Sequence, residues 1–160
     1  MLSRRASRRI ALQILFANEF LREDIDSVAM RVSESLDETL SPFARELVQK
    51  TAENEEDLNE LIRKHLRNWD YKRVAFLDRV LIRLALCEIK YFPDIPVEVT
   101  INEALEISKD FSNLKSRRFV NGILDSIYKE LQSTNRLSKH PHLKIPLNRK
   151  KKHERKGSTE

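Results

Sequence analysis

An all-α fold is predicted by three features of this 160-residue chain. Two glycines and five prolines leave little chemistry for the tight turns of a sheet protein. Apolar residues return at i, i+3, i+4 and i+7 along most of the sequence, the period of a helix with one buried face. Alternation of strand period is confined to "PVEVTI", which is short and reads as the lead-in to a helix. An apolar content of 40% is enough to fill a core at this length.

The first helix runs through "SRRASRRIALQILF" without a breaker. At about 100° per residue, Ile10, Ile14, Ala17 and Leu21 share a core stripe, and Arg5, Arg9 and Phe16 lie together nearly opposite. Ile25, Val28, Ala29, Val32, Leu36 and Leu40 form a second amphipathic pattern. Ser41-Pro42 then reads as an N-cap followed by proline at the first helical position, where its missing N–H costs nothing. The helix that follows carries Phe43, Leu47, Val48, Leu58, Leu61, Ile62 and Leu66, and its polar middle, "TAENEEDLNE", is expected to be one exposed face.

After "RNWD", Val74, Leu77, Leu81, Leu84 and Ala85 share a face, and the helix must stop near Pro93. Glu88 falls on this core stripe, where an ionised carboxylate needs a partner; it is expected to emerge at the helix end or to cap a neighbour. Cys87 reads as a small packing residue. "FPDIP" is a connector, and Thr100 with Glu103 has capping-box spacing for a helix continuing through Ile101, Ala104, Leu105 and Phe111. Val120, Ile123, Leu124, Ile127 and Leu131 mark the last helix. The expected organisation is two helical lobes, about 1–68 and 69–132, and a disordered basic tail over 133–160.

Charge is uneven. Residues 133–160 hold nine Lys or Arg against two Glu, a net +7, whereas residues 10–132 sum to −6 once Arg4, Arg5, Arg8 and Arg9 are set apart. An acidic body with basic ends favours a polyanionic partner at those ends. The four arginines open a helix, where positive charge opposes the dipole, so they point to a phosphate backbone rather than to a structural role. On the last helix, Lys115, Arg118, Phe119 and Gly122 occupy a sector beside the core stripe. Phe119 reads equally as peripheral core or as a ring on which a base stacks between cations, with Gly122 clearing space for close approach.

No catalytic constellation is legible. Three of the four histidines (His65, His140, His142, His153) lie in the tail, none has partners at metal-ligand spacing, and no glycine-rich phosphate loop can be built. The chain is expected not to be an enzyme and to use no cofactor or metal. One cysteine cannot form an internal disulfide, and there is neither a signal-peptide pattern nor an apolar run of about 18 residues. A cytoplasmic protein without membrane contact is expected.

The segments "RRIALQILF", "FLDRVLIRLALCEI", "IPVEVTINEALEISKDF" and "RRFVNGILDSIYKEL" together resemble the NusB family of bacterial transcription antitermination factors over roughly residues 3–132. The resemblance implies seven helices in two small lobes. It implies binding of boxA RNA in nascent ribosomal RNA as a heterodimer with NusE, a small-subunit ribosomal protein, which holds RNA polymerase in a termination-resistant complex. It implies RNA contacts by Arg4, Arg5, Arg8, Arg9, Phe16 and Phe119, and a partner-facing carboxylate at Asp78. Phe16 stands where the family often has tyrosine, and the basic tail lies outside the usual pattern, so an RNA-affinity extension and a solubilising tail remain equal readings of it. Two further functional readings stand beside antitermination. A similar module guides ribosomal-RNA cytosine methyltransferases, so this chain could be a free-standing adaptor in ribosomal RNA maturation. Alternatively, a homodimer could cover the RNA surface.

Overall fold

The computed structural model describes residues 2–66, 74–137 and 139; the expected link at 67–70 and the tail beyond 139 lie outside them. These residues form seven helices: α1 (Arg4–Leu21), α2 (Ile25–Ser35), α3 (Pro42–Glu53), α4 (Glu55–Lys64), α5 (Phe76–Tyr91), α6 (Val97–Ser108) and α7 (Leu114–Ser133).

Local chemistry sets the boundaries. Ser3, Asp24, Ser41 and Asn113 each accept a backbone N–H three residues on, which starts α1, α2, α3 and α7. Arg22 ends α1 in the left-handed region at φ 51°, returning its N–H to the Asn18 carbonyl. The single helix expected over 42–66 is in fact two. Asn54 leaves helical geometry at φ −107° and donates its side-chain amide to the Lys50 carbonyl. Glu55, Glu56 and Asp57 then open α4, where carboxylates favour the positive end of a new helix dipole. The polar run is thus a break rather than an exposed face.

Helix α5 is the axis of the fold. From Val80 to Ile89 every side chain is buried, because α1, α3, α4, α6 and α7 all pack around it. The single apolar face read from periodicity therefore understated its burial. Helix α1 is also buried over a wider arc than expected, through Ile10, Ala11, Leu12, Ile14 and Leu15, while Leu21 is exposed. Val120, Ile123, Leu124, Ile127 and Leu131 all face inward from α7, and Cys87 lies in the core with its thiol pushed up to about 12 by burial. Most of the buried apolar residues of these helices belong to one cluster.

Helix α6 starts at Val97, three residues before the expected cap, and the capping box does not form. Thr100 is buried and donates its hydroxyl to Glu88, and Glu103 pairs with Arg5. Ordered chain also continues past residue 132, where the disordered tail was expected to begin. Leu137 packs on the core, and the Lys139 amine donates to the Phe92 carbonyl at 2.7 Å and the Glu88 carbonyl at 3.2 Å. A cation there complements the C-terminal end of α5.

Candidate nucleic-acid interface

Each of the four N-terminal arginines meets a different environment. Arg8 is only 4% exposed and forms a bidentate pair with Glu88, itself 1% exposed, at 2.9 Å (Nε–Oε2) and 2.5 Å (Nη2–Oε1). Thr100 adds a third donor to that carboxylate at 2.9 Å. This corrects two expectations: Arg8 is a core cation closed to phosphate, and Glu88 neither emerges nor caps a neighbour. Only Glu88, on the core stripe of α5, signalled in the sequence that a buried counter-charge was needed; Arg8 lies far from the stripe of Ile10, Ile14, Ala17 and Leu21.

The other three arginines are exposed. Arg4 rests over the Phe43 ring at 4.7 Å. Arg5 forms a bidentate pair with Glu103 of α6 at 2.8 and 3.0 Å, and Arg9 reaches Asp110 at 3.0 Å. The Arg5 hydrogen bond holds the Glu103 carboxyl below its ordinary value. A phosphate approaching Arg5 or Arg9 therefore competes with an internal carboxylate.

Phe16 is half-buried at the junction of α1 and α5, set edge-on to Phe76 (5.8 Å) and to Phe20 (5.3 Å). Phe20 stacks on Phe76 at 4.8 Å and is 65% exposed, which makes it the most solvent-facing of these rings. Sequence reasoning missed both partners; Phe20 lies one helical turn after Phe16, and that spacing was the available signal. The Arg79 guanidinium covers Phe76 at 4.7 Å.

On α7, Lys115 and Arg118 are exposed, and neither has an ion-pair partner among the described residues. Phe119 is half-buried on the margin of the core. Gly122 is helical and exposed, and a Cβ built on it would meet nothing within 4 Å, so no internal contact requires glycine there. A depression of about 250 Å³ opens beside Phe119, lined also by Val74, Ala75, Asp78, Lys115 and Ser116. Asp78 is 3% exposed, which corrects its expected place as an exposed partner-facing charge. Burial pushes its carboxyl pKa up, against a hydrogen bond offered by Ser116.

Among the described residues no group of three or more His, Cys, Asp or Glu side chains is arranged to hold a metal ion, and no helix is long and apolar enough to cross a membrane.

Seven helices, five of them packed around the buried α5, with exposed cations and half-buried rings on α1 and on α7, define a small all-α protein. The chain belongs to the NusB family, whose model matches residues 5–129. It is 39% identical over 136 residues to the transcription antitermination protein NusB of Bacillus subtilis (strain 168), covering 83% of this chain and 100% of that protein. It is 39% identical over 142 residues to that of Chloroherpeton thalassium, covering 87% of this chain and 67% of the relative. Among solved structures, T. maritima NusB superposes with a TM-score of 0.72 at 39% identity, covering 81% of this chain and 92% of that one. A chain from a structure of antitermination factors NusB and NusE in complex with dsRNA has a TM-score of 0.72 at 23% identity, covering 79% of this chain and 96% of that one, and shares the fold.

Proposed function

We infer that this protein is a transcription antitermination factor that binds boxA-type RNA in nascent ribosomal RNA together with NusE, and so contributes to a termination-resistant RNA polymerase complex in the cytoplasm. It acts by binding rather than by catalysis. The observation that carries the reading is the α7 stripe, in which exposed Lys115 and Arg118 lie beside Phe119 and are followed by an exposed glycine that nothing inside the fold demands. A single strand can lay phosphates on the cations and a base on the ring, and the missing side chain at Gly122 lets the backbone come close. Arg4, Arg5 and Arg9 extend the basic surface on α1. The exposed Phe20 ring on Phe76 offers apolar area of the kind a protein partner covers.

Size-exclusion chromatography with light scattering tests the reading on the protein alone, with NusE, and with NusE plus boxA RNA. A 1:1 heterodimer that takes up one RNA is expected. A homodimer that binds neither would refute it.

A further inference from the structure

The chain does not leave the fold where α7 ends. Asn135 turns it in the left-handed region at φ 55°, and the Arg136 N–H returns to the Leu131 carbonyl at 2.9 Å. Leu137 packs on the core, and the Lys139 amine anchors the chain to the Phe92 and Glu88 carbonyls at the end of α5. Burial pulls the pKa of that amine down to about 8, although Glu88 and Asp94 attract its charge, so the anchor forms at a cost in lost hydration. A solubilising extension needs no such anchor, because it works equally well from any exit.

The anchor sets where residues 140–160 begin. The Phe92 ring is edge-on to Phe43 at 5.7 Å, and exposed Arg4 rests over Phe43 at 4.7 Å. Asp94, which attracts the Lys139 charge, lines one depression with Ser3, Arg4 and Arg5. Lys139 therefore stands at the arginine end of α1. Residues 140–160 hold seven Lys or Arg against Glu154 and Glu160, with Lys150, Lys151 and Lys152 consecutive. Both Lys139 and this segment lie beyond residue 129, where the family match ends.

We propose that the Lys139 anchor delivers the basic segment 140–160 to the arginine end of α1, where the two together hold the phosphate backbone of a single-stranded RNA without regard to its sequence. Cations gathered beside Arg4 repel one another, and a polyanion laid across them removes that repulsion. The contact rests on the RNA-binding reading and adds to it affinity rather than sequence choice.

The test uses full-length variants and two single-stranded RNAs of equal length, a boxA-type sequence and its scrambled counterpart, titrated across salt with and without NusE. Lys150→Gln/Lys151→Gln/Lys152→Gln should weaken binding of both RNAs alike, by about 10- to 100-fold at low salt, and flatten the slope of log affinity against log salt by about 2, at roughly 0.7 per contact. Lys139→Met keeps those charges but frees their start, so it should weaken binding about three- to tenfold, and Lys139→Arg should restore it. In the triple-Gln background Lys139→Met should cost nothing further. Unchanged affinity and slope in the triple variant would overturn the proposal, as would tighter binding, which would mean that the segment covers the acidic body instead. An equal effect of Lys139→Met in both backgrounds would show that it acts through the fold, and would overturn delivery by the anchor. If binding of the scrambled RNA weakens as expected but boxA is never preferred, the basic segment stands as a contact and the antitermination reading fails.

Discussion

Removing one side of the Arg8–Glu88 pair should damage the fold far more than any other change to the N-terminal arginines. Both groups are almost completely buried, the guanidinium meets the carboxylate through two hydrogen bonds, and Thr100 donates a third. Arg8→Ala leaves Glu88 charged, buried and short of two donors, which costs about 3 to 5 kcal/mol. For a domain of this size that lowers Tm by roughly 10 to 20 °C. Replacing the whole network is a different experiment. Arg8→Met with Glu88→Leu removes both charges, and Thr100→Val removes the hydroxyl that would otherwise lose its acceptor, at about 1 to 3 kcal/mol. The triple variant should recover most of the lost stability, since apolar replacements of buried ion pairs are often neutral. Urea unfolding of the single, triple and wild-type proteins measures this, with RNA affinity taken on the folded fraction. If Arg8→Ala proves as stable as the wild type but loses RNA affinity, the burial argument is wrong and Arg8 belongs with the phosphate contacts.

Three other outcomes follow from the same geometry. Phe119→Ala should cost about 1 to 3 kcal/mol of RNA binding and well under the roughly 3 to 5 kcal/mol of stability lost when a core phenylalanine is truncated, because the ring is only half-buried; paired urea and RNA titrations separate the two. Glu103→Gln or Asp110→Asn should tighten RNA binding about two- to fivefold by freeing Arg5 or Arg9, and weaker binding in fluorescence titration would show instead that the carboxylates aim the arginines at phosphate. Glu130 on α7 joins Lys64 and His65 of the α4 end at 2.5 and 2.8 Å, and the His65 and Lys64 hydrogen bonds hold its carboxyl down at about 2 against an ordinary 4.5. A lowered folded-state pKa stabilises above the unfolded value and is lost as pH falls. The stability gap between wild type and Glu130→Gln should therefore be complete above about pH 5 and should close as pH drops toward 2, and a gap unchanged across that range in pH-dependent urea unfolding would contradict the linkage.

Periodicity placed the inward face of α7 closely, because that helix packs through one stripe and leaves the rest to solvent; on α2 it found Val28 and Ala29 but also counted Leu36, which is exposed past the helix end. It could not place α5, since a helix surrounded by five others buries residues at every angle and the stripe loses meaning. Local rules found the Ser41-Pro42 start of α3 but failed at Thr100 and Glu103, whose side chains had stronger offers from Glu88 and Arg5 across the fold. The charge pattern grouped Arg4, Arg5, Arg8 and Arg9 as one surface, yet a sequence cannot distinguish Arg8 from Arg9 until the fold brings Glu88 to the first and Asp110 to the second. Likewise the resemblance implied a partner-facing carboxylate at Asp78, and the sequence could not show that the fold encloses it. The resemblance supplied the seventh helix that the residue reading had merged into its neighbour.

The α7 stripe is the centre of the functional account, and the salt dependence of RNA binding tests it most directly. With NusE present, affinity for a single-stranded boxA RNA is measured from low to high salt for wild type and for Lys115→Ala/Arg118→Ala. Each lost phosphate contact should flatten the slope of log affinity against log salt by roughly 0.7, so the double variant should bind more weakly with a slope reduced by about 1.4 and an unchanged urea midpoint. The same affinity and the same slope in a folded variant would show that RNA passes elsewhere, and would contradict the account.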